Sequence, residues 1–351
     1  MAPLELAVVE SAAERPVLAV DLGGTQIRAA LITPDLVVHA RRAVLTESEE
    51  GIDAVLGRIA DLAAAVRADA AGAGLPSPIG ISISSPGPLD PWNGVVVLAP
   101  NLVGWRDVVV APRIAEALGL PAFLEKDTNV AIMGEWRYGA ARGTRDAVYI
   151  TVSTGIGGAI ISDSRPIIGR HGGAGEVGHV TVELDGPVCG CGGVGHVEAI
   201  ASGAGIARLA RELLDGGASD SPLARLADEG TEIDAALVAK AAEEGDAGCI
   251  ALLERAWVAI GALCASLANL LDPEVIVIGG SIAEHHPDLF DVIGREMQRR
   301  AFPMLLERVR IVPAALGADV SLIGGLPIVN DRLDDPAYAA GSRPQQGALH
   351  S

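Results

Sequence analysis

Three short turns rich in glycine and hydroxyl side chains each follow a predicted buried strand. They are Asp21-Leu-Gly-Gly-Thr25, Ser153-Thr-Gly-Ile-Gly-Gly158 and Ile278-Gly-Gly-Ser281. Backbone N–H groups of such turns approach phosphate oxygens closely, and the acid of the first turn can hold Mg²⁺ through water. One such turn alone is more often a plain hairpin turn, but three such turns together predict a site that binds one nucleotide. The predicted nucleotide contacts are Asp21, Gly23, Gly24, Thr25, Thr154, Gly155, Gly157, Gly279 and Gly280.

Two better-known phosphate-binding motifs do not account for these turns. The sequence contains no Gly-x-x-x-x-Gly-Lys-Ser/Thr loop, which excludes a P-loop enzyme. A formal Gly-x-Gly-x-x-Gly occurs at Gly190, Gly192 and Gly195. In a chain with 43 glycines such a match is expected by chance, and the Asp185-Gly-Pro turn separates it from the preceding strand, which a dinucleotide-binding motif follows directly. We therefore expect neither a P-loop nor a dinucleotide fold.

One further carboxylate occupies a position suited to chemistry. Asp127 comes directly after a predicted strand at 123–126 and before a predicted helix at 129–138. Phosphoryl transfer to an alcohol requires a base near the hydroxyl and a site that excludes water. The alternative is a helix cap, because Asp is favoured at helix N-termini. Both roles are compatible with this position.

The elements that must position these residues follow from the hydrophobic pattern. Strands are predicted at 17–21, 27–32 and 36–44, followed by a helix at 52–66 whose apolar residues recur every three or four positions. Strands and helices alternate from residue 79 to 138, which indicates a parallel component. The strand, glycine turn and strand at 148–161 repeat the opening pattern. Beyond about residue 330 the apolar period ends, as is typical of a disordered tail.

Composition limits the possible partners and compartment. The chain has 351 residues, a formal net charge of −19 and only 3% aromatic residues. Such an acidic balance opposes contact with nucleic acid or an anionic membrane. The N-terminus lacks the pattern of a secretory signal, and the charge-free stretch at 256–271 is shorter than a membrane span. We expect a cytoplasmic protein in which Cys249 and Cys264 are buried as small apolar residues.

The order of motifs resembles one family, the ROK sugar kinases, open reading frames and repressors. The resemblance covers residues 17–327. The motifs that carry it are the Asp21 turn, Pro86-Gly87-Pro88, Ala99-Pro-Asn-Leu-Val-Gly-Trp105, Thr154-Gly-Ile-Gly157, Gly175-Glu-Val-Gly-His179, Cys189-Gly-Cys191, Ala315-Leu-Gly317 and Leu322-Ile-Gly-Gly325.

The resemblance implies an α/β, two-lobed actin-like ATPase fold of the hexokinase and ribonuclease H type, with a cleft between the lobes. The domain prediction that follows is a disordered N-terminus at 1–16, an N-terminal lobe at 17–126 and a C-terminal lobe at 127–313. A helix at 314–330 is expected to return to the first lobe, and 331–351 to form the disordered tail.

The resemblance also implies roles for individual residues. Asp127 is expected to be the base that takes the proton from a sugar hydroxyl. The expected sugar contacts are Asn101, Lys126, Glu176, His179 and Glu198. Family kinases usually carry Asn at the position of Lys126, and a lysine there only donates hydrogen bonds and lowers the basicity of the neighbouring carboxylate. An acidic substrate, or a lysine side chain that points away from the sugar, would preserve activity.

A structural zinc site is implied as well. Family kinases bind zinc through a histidine and a Cys-x-Cys-x-x-x-x-Cys run, and here that run is Cys189-Gly-Cys191-Gly-Gly-Val-Gly-His196. The expected ligands are His179, Cys189, Cys191 and His196, an ordinary Cys₂His₂ set. A glycine-rich loop has little reason to keep one shape without a metal.

Together these features predict an ATP-dependent, Mg²⁺-requiring sugar kinase that phosphorylates a hexose hydroxyl and forms a homodimer. Glucose is the first candidate, and N-acetylmannosamine, N-acetylglucosamine, mannose and other hexoses remain open. There are three rival interpretations. One is a sugar-responsive repressor of the same family, disfavoured because only 20 residues precede Asp21 and the charge is wrong for DNA. The second is a non-catalytic sugar-binding protein, suggested by Lys126 and His196. The third is a glucokinase that accepts polyphosphate as well as nucleotide, disfavoured because the zinc-loop residues resemble the zinc-bearing branch of the family.

Overall fold

The structure is a computed structural model that describes residues 14–217, 220–228 and 231–338. Its strands are β1 Val17–Leu22, β2 Gln26–Ile32, β3 Val38–Leu45, β4 Ile81–Ser85, β5 Leu89–Asp90, β6 Val95–Leu98, β7 Arg106–Val109, β8 Ala122–Lys126, β9 Ala147–Val152, β10 Ile156–Ser162, β11 Arg165–Pro166, β12 Val275–Gly279 and β13 Arg310–Pro313. Its α-helices are α1 Ile52–Gly72, α2 Ala111–Leu118, α3 Asp127–Arg137, α4 Val197–Ala201, α5 Gly203–Asp215, α6 Pro222–Asp228, α7 Ala235–Glu243, α8 Ala247–Leu271, α9 Ser281–His285, α10 Asp288–Arg300, α11 Val320–Ile323 and α12 Gly325–Arg332.

The chain divides into two compact units. Among the described residues, unit 1 contains 14–130 and 321–338, and unit 2 contains those between 131 and 320. The sequence-based boundaries were 126 and 313. Of the disordered termini predicted at 1–16 and 331–351, residues 1–13 and 339–351 lie outside the described residues.

Each unit is built on a five-stranded mixed sheet, and the two sheets have the same strand order. The order is β3-β2-β1-β4-β8 in unit 1 and β11-β10-β9-β12-β13 in unit 2. In unit 1, β1 pairs antiparallel with β2 and parallel with β4. In unit 2, β9 pairs antiparallel with β10 and parallel with β12. The repeat of strand, glycine turn and strand seen in the sequence is therefore one copy of this pattern in each unit. A small sheet, β5-β6-β7, adds to unit 1 and was not predicted.

Apolar packing explains why these elements form. The strands β1 and β4 are buried on both faces, as parallel strands covered by helices usually are. The predicted stripe of α1 supplies the core of unit 1 together with these strands. In unit 2 the core surrounds α8, in which Trp257, Ile260 and Cys264 are buried.

The helix α8 is long and apolar enough to cross a membrane by length and composition, but 56% of its most apolar window is buried inside the protein. This burial agrees with the predicted core helix. It also raises the pKa of the Cys249 and Cys264 thiols to about 12, so both behave as inert apolar side chains.

The end of the chain corrects one prediction. Residues 331 and 332 do not belong to a structureless tail, because they complete α12, and 336–338 form a 3₁₀ turn. Arg332 is 6% exposed and pairs with the buried carboxylate of Glu125. Composition alone missed this ordering, because a polar segment with one buried ion pair has no apolar period.

Candidate active site

In unit 1, the first glycine turn joins β1 to β2 as a tight hairpin. The backbone N–H of Gly23 donates to the carbonyl of Gln26 at 3.0 Å. The buried Thr46, at the end of β3, closes the turn, because its hydroxyl donates to the Gly23 carbonyl at 2.7 Å. The hairpin interpretation is thus correct geometrically, and it leaves Thr25 exposed at the tip.

The carboxylate of Asp21 lies at the carboxyl end of β1, beside its cross-strand neighbour Arg28. Arg28 donates to Asp21 Oδ2 through Nε at 3.0 Å and through Nη2 at 2.5 Å, and Nη2 also donates to Ser321 Oγ at 3.0 Å. This fork holds one carboxylate oxygen in place. The acid is therefore oriented at the turn, as a carboxylate that holds Mg²⁺ through water must be.

The predicted sugar contact Asn101 lies against the first glycine turn. A Cβ on Gly24 would come within 3.1 Å of both the Cβ and the carbonyl oxygen of Asn101. The Asn101 side chain is exposed. The missing side chain at Gly24 is therefore what allows a predicted sugar contact to lie next to a predicted phosphate contact.

Asp127 is the one exposed residue in a run of buried ones at the end of β8. Residues 123–126 and 128–130 are buried on either side of it. The helix α3 begins at Asp127 itself rather than at residue 129, and Asp127 Oδ1 accepts the N–H of Thr128 at 2.7 Å. The carboxylate thus contacts the first turn of the helix and still reaches solvent, so capping and catalysis are compatible.

Lys126 is 5% exposed, which is rare for a lysine. Its Cγ and Cδ lie 3.8 Å from the Cβ position of Gly87, in the Pro86-Gly87-Pro88 loop. The aliphatic stem is therefore packed under that loop. Sequence reasoning had treated this position only as a substitution for Asn.

In unit 2, the second and third glycine turns lie side by side. The second turn joins β9 to β10, and the third joins β12 to α9. The hydroxyls of Ser153 and Ser281 are 3.0 Å apart. A Cβ on Gly280, whose φ is +95°, would lie 2.4 Å from the Val152 carbonyl. Only glycine permits this approach, and the sequence did not predict that these two turns pair with each other.

The second turn also meets the start of α5. The N–H groups of Gly203 and Ala204 donate to the carbonyls of Ser153 at 2.8 Å and Thr154 at 3.1 Å. The Thr154 side chain is exposed beside these contacts. The turn is therefore rigid, with its hydroxyl available to a ligand.

Glu198, in α4, connects this turn to the cysteine and histidine cluster. Its Oε2 accepts the N–H of Ile156 at 3.0 Å. Its Oε1 lies 3.6 Å from Cys189 Sγ and 4.0 Å from His179 Nδ1. The predicted sugar contacts Glu198 and His179 are thus adjacent, and Glu176 lies exposed one 3₁₀ turn before His179.

The four predicted zinc ligands converge. The ligand atoms of His179, Cys189, Cys191 and His196 all lie within 4.8 Å of one another. The contacts are 3.8 Å between Cys189 Sγ and His179 Nδ1, and 3.3 Å between Cys191 Sγ and His196 Nδ1. A tetrahedral zinc ion with these ligand types separates its ligand atoms by roughly 3.3–3.8 Å. The arrangement fits zinc, and two thiolates with two neutral imidazoles balance its charge.

The loop that carries these ligands is shaped by glycine and by an ion pair that sequence reasoning missed. A Cβ on Gly193 would lie within 2.2 Å of the His196 ring, so the ring occupies the space of the missing side chain. Arg255, in α8, donates to both oxygens of Glu183 at 2.9 and 2.6 Å and lowers the pKa of that carboxyl. Glu183 belongs to no local motif, and its partner Arg255 lies 72 residues away in the chain, so the sequence did not reveal the pair.

Glu135 is a second residue that the sequence did not single out. Its side chain is fully buried in α3 and accepts three backbone N–H groups, from Ala140 at 2.7 Å and from Ala315 and Leu316 at 2.9 Å each. It therefore holds the Ala315-Leu-Gly317 segment of unit 2. No local pattern distinguishes such a glutamate from a solvated one.

Gly178 offers a test of how His179 is held. A Cβ at this position would lie 2.0 Å from the Ile156 carbonyl oxygen, so Gly178→Ala must push the His179 segment away from β10. We expect the free energy of unfolding to fall by about 1–3 kcal/mol, as in other overpacked sites. Gly173→Ala is the matched control, because a Cβ there meets nothing within 4 Å. Urea unfolding of both variants measures the difference, and equal stabilities would contradict the close approach.

Comparison with known proteins finds matches over most of the chain. The model of the ROK family matches residues 17–332. A glucokinase of Thermotoga maritima is 32% identical over 316 residues, which are 90% of this chain and 98% of the relative. The crystal structure of a ROK hexokinase from Thermus thermophilus is 32% identical, with a TM-score of 0.75 over 89% of this chain and 96% of that chain.

A third similar protein was solved with ligands. It is a ROK family glucokinase from Streptomyces griseus in complex with glucose and AMPPNP, 28% identical, with a TM-score of 0.74 over 89% of this chain and 98% of that chain. These likenesses confirm the predicted α/β fold of the actin-like ATPase type. The chain belongs to the ROK family.

Proposed function

We propose that this protein is an ATP-dependent hexose kinase that uses Asp127 as its general base. The observation that carries the proposal is the placement of Asp127, an exposed carboxylate at the carboxyl end of β8 surrounded by buried neighbours. A base in phosphoryl transfer needs such a fixed backbone and an accessible oxygen. The glucokinase relatives support the same reaction class.

The proposed reaction transfers the γ-phosphoryl group of ATP to a sugar hydroxyl, with Asp127 as the proton acceptor. Asp127 takes the proton of a sugar hydroxyl, whose oxygen then forms a bond to the γ-phosphorus of ATP. The bond from that phosphorus to the bridging oxygen breaks, which releases ADP and leaves the proton on the carboxyl group. Mg²⁺, held through water by Asp21, would neutralise the phosphate charge when bound. Arg28 keeps Asp21 oriented for this role.

The glycine turns supply the nucleotide contacts in this proposal. Gly23, Gly24 and Thr25 of unit 1 would bind phosphate oxygens through backbone N–H groups. Unit 2 would contribute Thr154, Gly155 and Gly157 of the second turn, together with Gly279 and Gly280 of the third turn. The rigidity of the paired turns supports this, because a pre-organised cradle avoids the ordering cost of binding.

The sugar would be bound by Asn101, Glu176, His179 and Glu198. Planar groups of this kind donate and accept in fixed directions, which suits recognition of several hydroxyls. A structural zinc ion at the Cys₂His₂ cluster would hold His179 by one ring nitrogen and leave the other for the substrate. Glucose is our first candidate substrate, and N-acetylmannosamine or another hexose is the alternative.

The second candidate function is that of a non-catalytic sugar-binding protein. The observation that favours it is the buried cation of Lys126 directly before Asp127. A lysine at this position only donates hydrogen bonds, whereas the Asn that family kinases usually carry can also accept one from a sugar hydroxyl. The exposure of Asp127 and the intact glycine turns favour the kinase.

Release of ADP from Mg-ATP, followed by a coupled assay, tests the two functions. The sugars to compare are glucose, mannose, fructose, N-acetylglucosamine and N-acetylmannosamine. For a kinase we expect one sugar to raise ADP release well above the rate with ATP alone, and that sugar is the substrate. If none does so while sugars still raise the melting temperature, the protein is a sugar-binding relative, and Lys126→Asn is the first variant to assay.

A further inference from the structure

A buried ion pair lies directly behind the candidate base. Glu125 is 1% exposed and Arg332, the last residue of α12, is 6% exposed. Arg332 Nη2 donates to Glu125 Oε2, and Nη1 donates to the carbonyl of Leu124 at 3.3 Å. The two residues are 207 positions apart in the chain. The end of α12 is therefore hydrogen-bonded to the last residues of β8, the strand that directly precedes Asp127.

The second oxygen of Glu125 brackets Asp127. Oε1 accepts the backbone N–H of Lys126 at 2.8 Å and the side-chain amide of Asn129, also at 2.8 Å. One carboxylate thus holds the residue before Asp127 and the residue two positions after it. The conformation of the junction between β8 and α3, and hence the direction of the Asp127 side chain, depends on where Glu125 is held.

Arg332 is held in turn by aromatic side chains. Its guanidinium carbon lies 4.2 Å from the centroid of the Tyr338 ring, and that ring meets Phe123 edge-on at 6.4 Å. At the start of α12, a Cβ on Gly325 would lie 3.0 Å from Ser82 and 3.1 Å from Ala19. The helix α12 therefore packs closely on β4 and β1. The guanidinium therefore has a fixed position against the sheet.

Stability alone does not account for the pair. Burying two charges costs desolvation energy that their attraction only offsets when the geometry is good, and an apolar pair of similar volume is often as stable. What an apolar pair does not provide is an acceptor for Lys126 N–H and Asn129. The arrangement suits orientation of the junction better than cohesion.

We propose that Glu125 and Arg332 are positioning residues for Asp127, which rests on the proposed role of Asp127 as the base. Neither residue touches substrate in this scheme. Arg332 holds Glu125, Glu125 holds both sides of the β8–α3 junction, and the junction aims the base at the sugar hydroxyl. The C-terminal helix thereby becomes part of the catalytic support.

The test is a set of three variants, Arg332→Met, Glu125→Gln and the double variant. Arg332→Met leaves a buried carboxylate without its cation, and we expect kcat to fall about 10- to 100-fold, as for a small misplacement of a reacting group. The KM for ATP is expected to change less than about twofold, because the glycine turns are untouched. The double variant restores a neutral acceptor for Lys126 and Asn129, so its kcat should exceed that of Arg332→Met.

The matched control is Arg300→Met, which removes one guanidinium from Glu296, a carboxylate in unit 2 that is 3% exposed. We expect this control to lose stability and keep kcat when assayed well below its melting temperature. If Arg332→Met also keeps kcat, or if the double variant recovers nothing, positioning is excluded. Arg332→Lys, which keeps the charge and loses the fork, serves if Arg332→Met does not fold, and an unchanged kcat in it excludes positioning as well.

Hydrogen exchange of peptides covering residues 122–137 separates this inference from the proposed function. Absence of wild-type turnover with any sugar would refute the kinase, and exchange would still report the junction. Faster exchange at residues 128–132 in Arg332→Met than in Arg300→Met supports positioning of the junction. Equal exchange in the two variants overturns it.

Discussion

Replacing Asp127 with asparagine is expected to lower kcat about 10²–10⁴-fold, the range that a general base contributes. Asparagine has the same shape, and its carbonyl oxygen can still accept the N–H of Thr128, which Asp127 accepts at 2.7 Å. It cannot take a proton from the sugar hydroxyl. Since Asn and Asp are similar at helix N-termini, the fold should be unaffected.

Steady-state kinetics with the preferred sugar measure this effect. A loss in kcat with little change in the KM for sugar or ATP identifies Asp127 as a group that acts on the proton. Asp61→Asn, at an exposed position of α1, is the control and should keep wild-type kinetics. A kcat for Asp127→Asn within threefold of wild type would remove Asp127 from the mechanism.

The second large effect concerns the metal cluster. We expect one zinc ion per chain, and we expect His196→Ala to lose it, because three ligands in a glycine-rich loop bind zinc far more weakly than four. The melting temperature should then fall by at least about 5 °C, given that about 1 kcal/mol shifts a domain of this size by 2–4 °C. His196→Cys should retain the metal, since thiolate is an equivalent ligand.

Elemental analysis of purified protein and thermal unfolding with and without a chelator provide the measurements. His171→Ala is a suitable control, because His171 is exposed in the same segment but lies outside the cluster. If the wild-type protein contains no zinc and the chelator leaves its melting temperature unchanged, the cluster is a hydrogen-bonded polar group rather than a metal site.

The features that could be predicted from the sequence are those that short stretches of chain determine. A strand followed by a glycine turn is visible because buried strands are apolar runs and such turns need residues without Cβ. The candidate zinc ligands were suggested by the family resemblance, and their spacing within 18 positions, from His179 to His196, supported the suggestion. Asp127 was singled out by the family resemblance, and it lies between a strand and a helix as expected, although the helix begins two residues earlier.

Pairings over long distances explain what was missed. The sequence alone assigned no role to Glu183, Arg255 or Glu135, because their partners lie far away in the chain and only the fold brings them together. The small sheet β5-β6-β7 was missed because its strands are only two to four residues long. Runs that short carry too little period to predict a strand.

The sequence by itself determined the family, the three glycine turns, the candidate base and the four candidate metal ligands, because short motifs along the chain carry each of them. Tertiary structure decided how these residues are held. Only the fold shows that Lys126 is buried, that Gly24 makes room for Asn101, and that Arg332 fastens the strand behind Asp127. The physical reason is that burial and charge pairing depend on which distant segments meet, and hydrophobic periodicity carries no record of the partner.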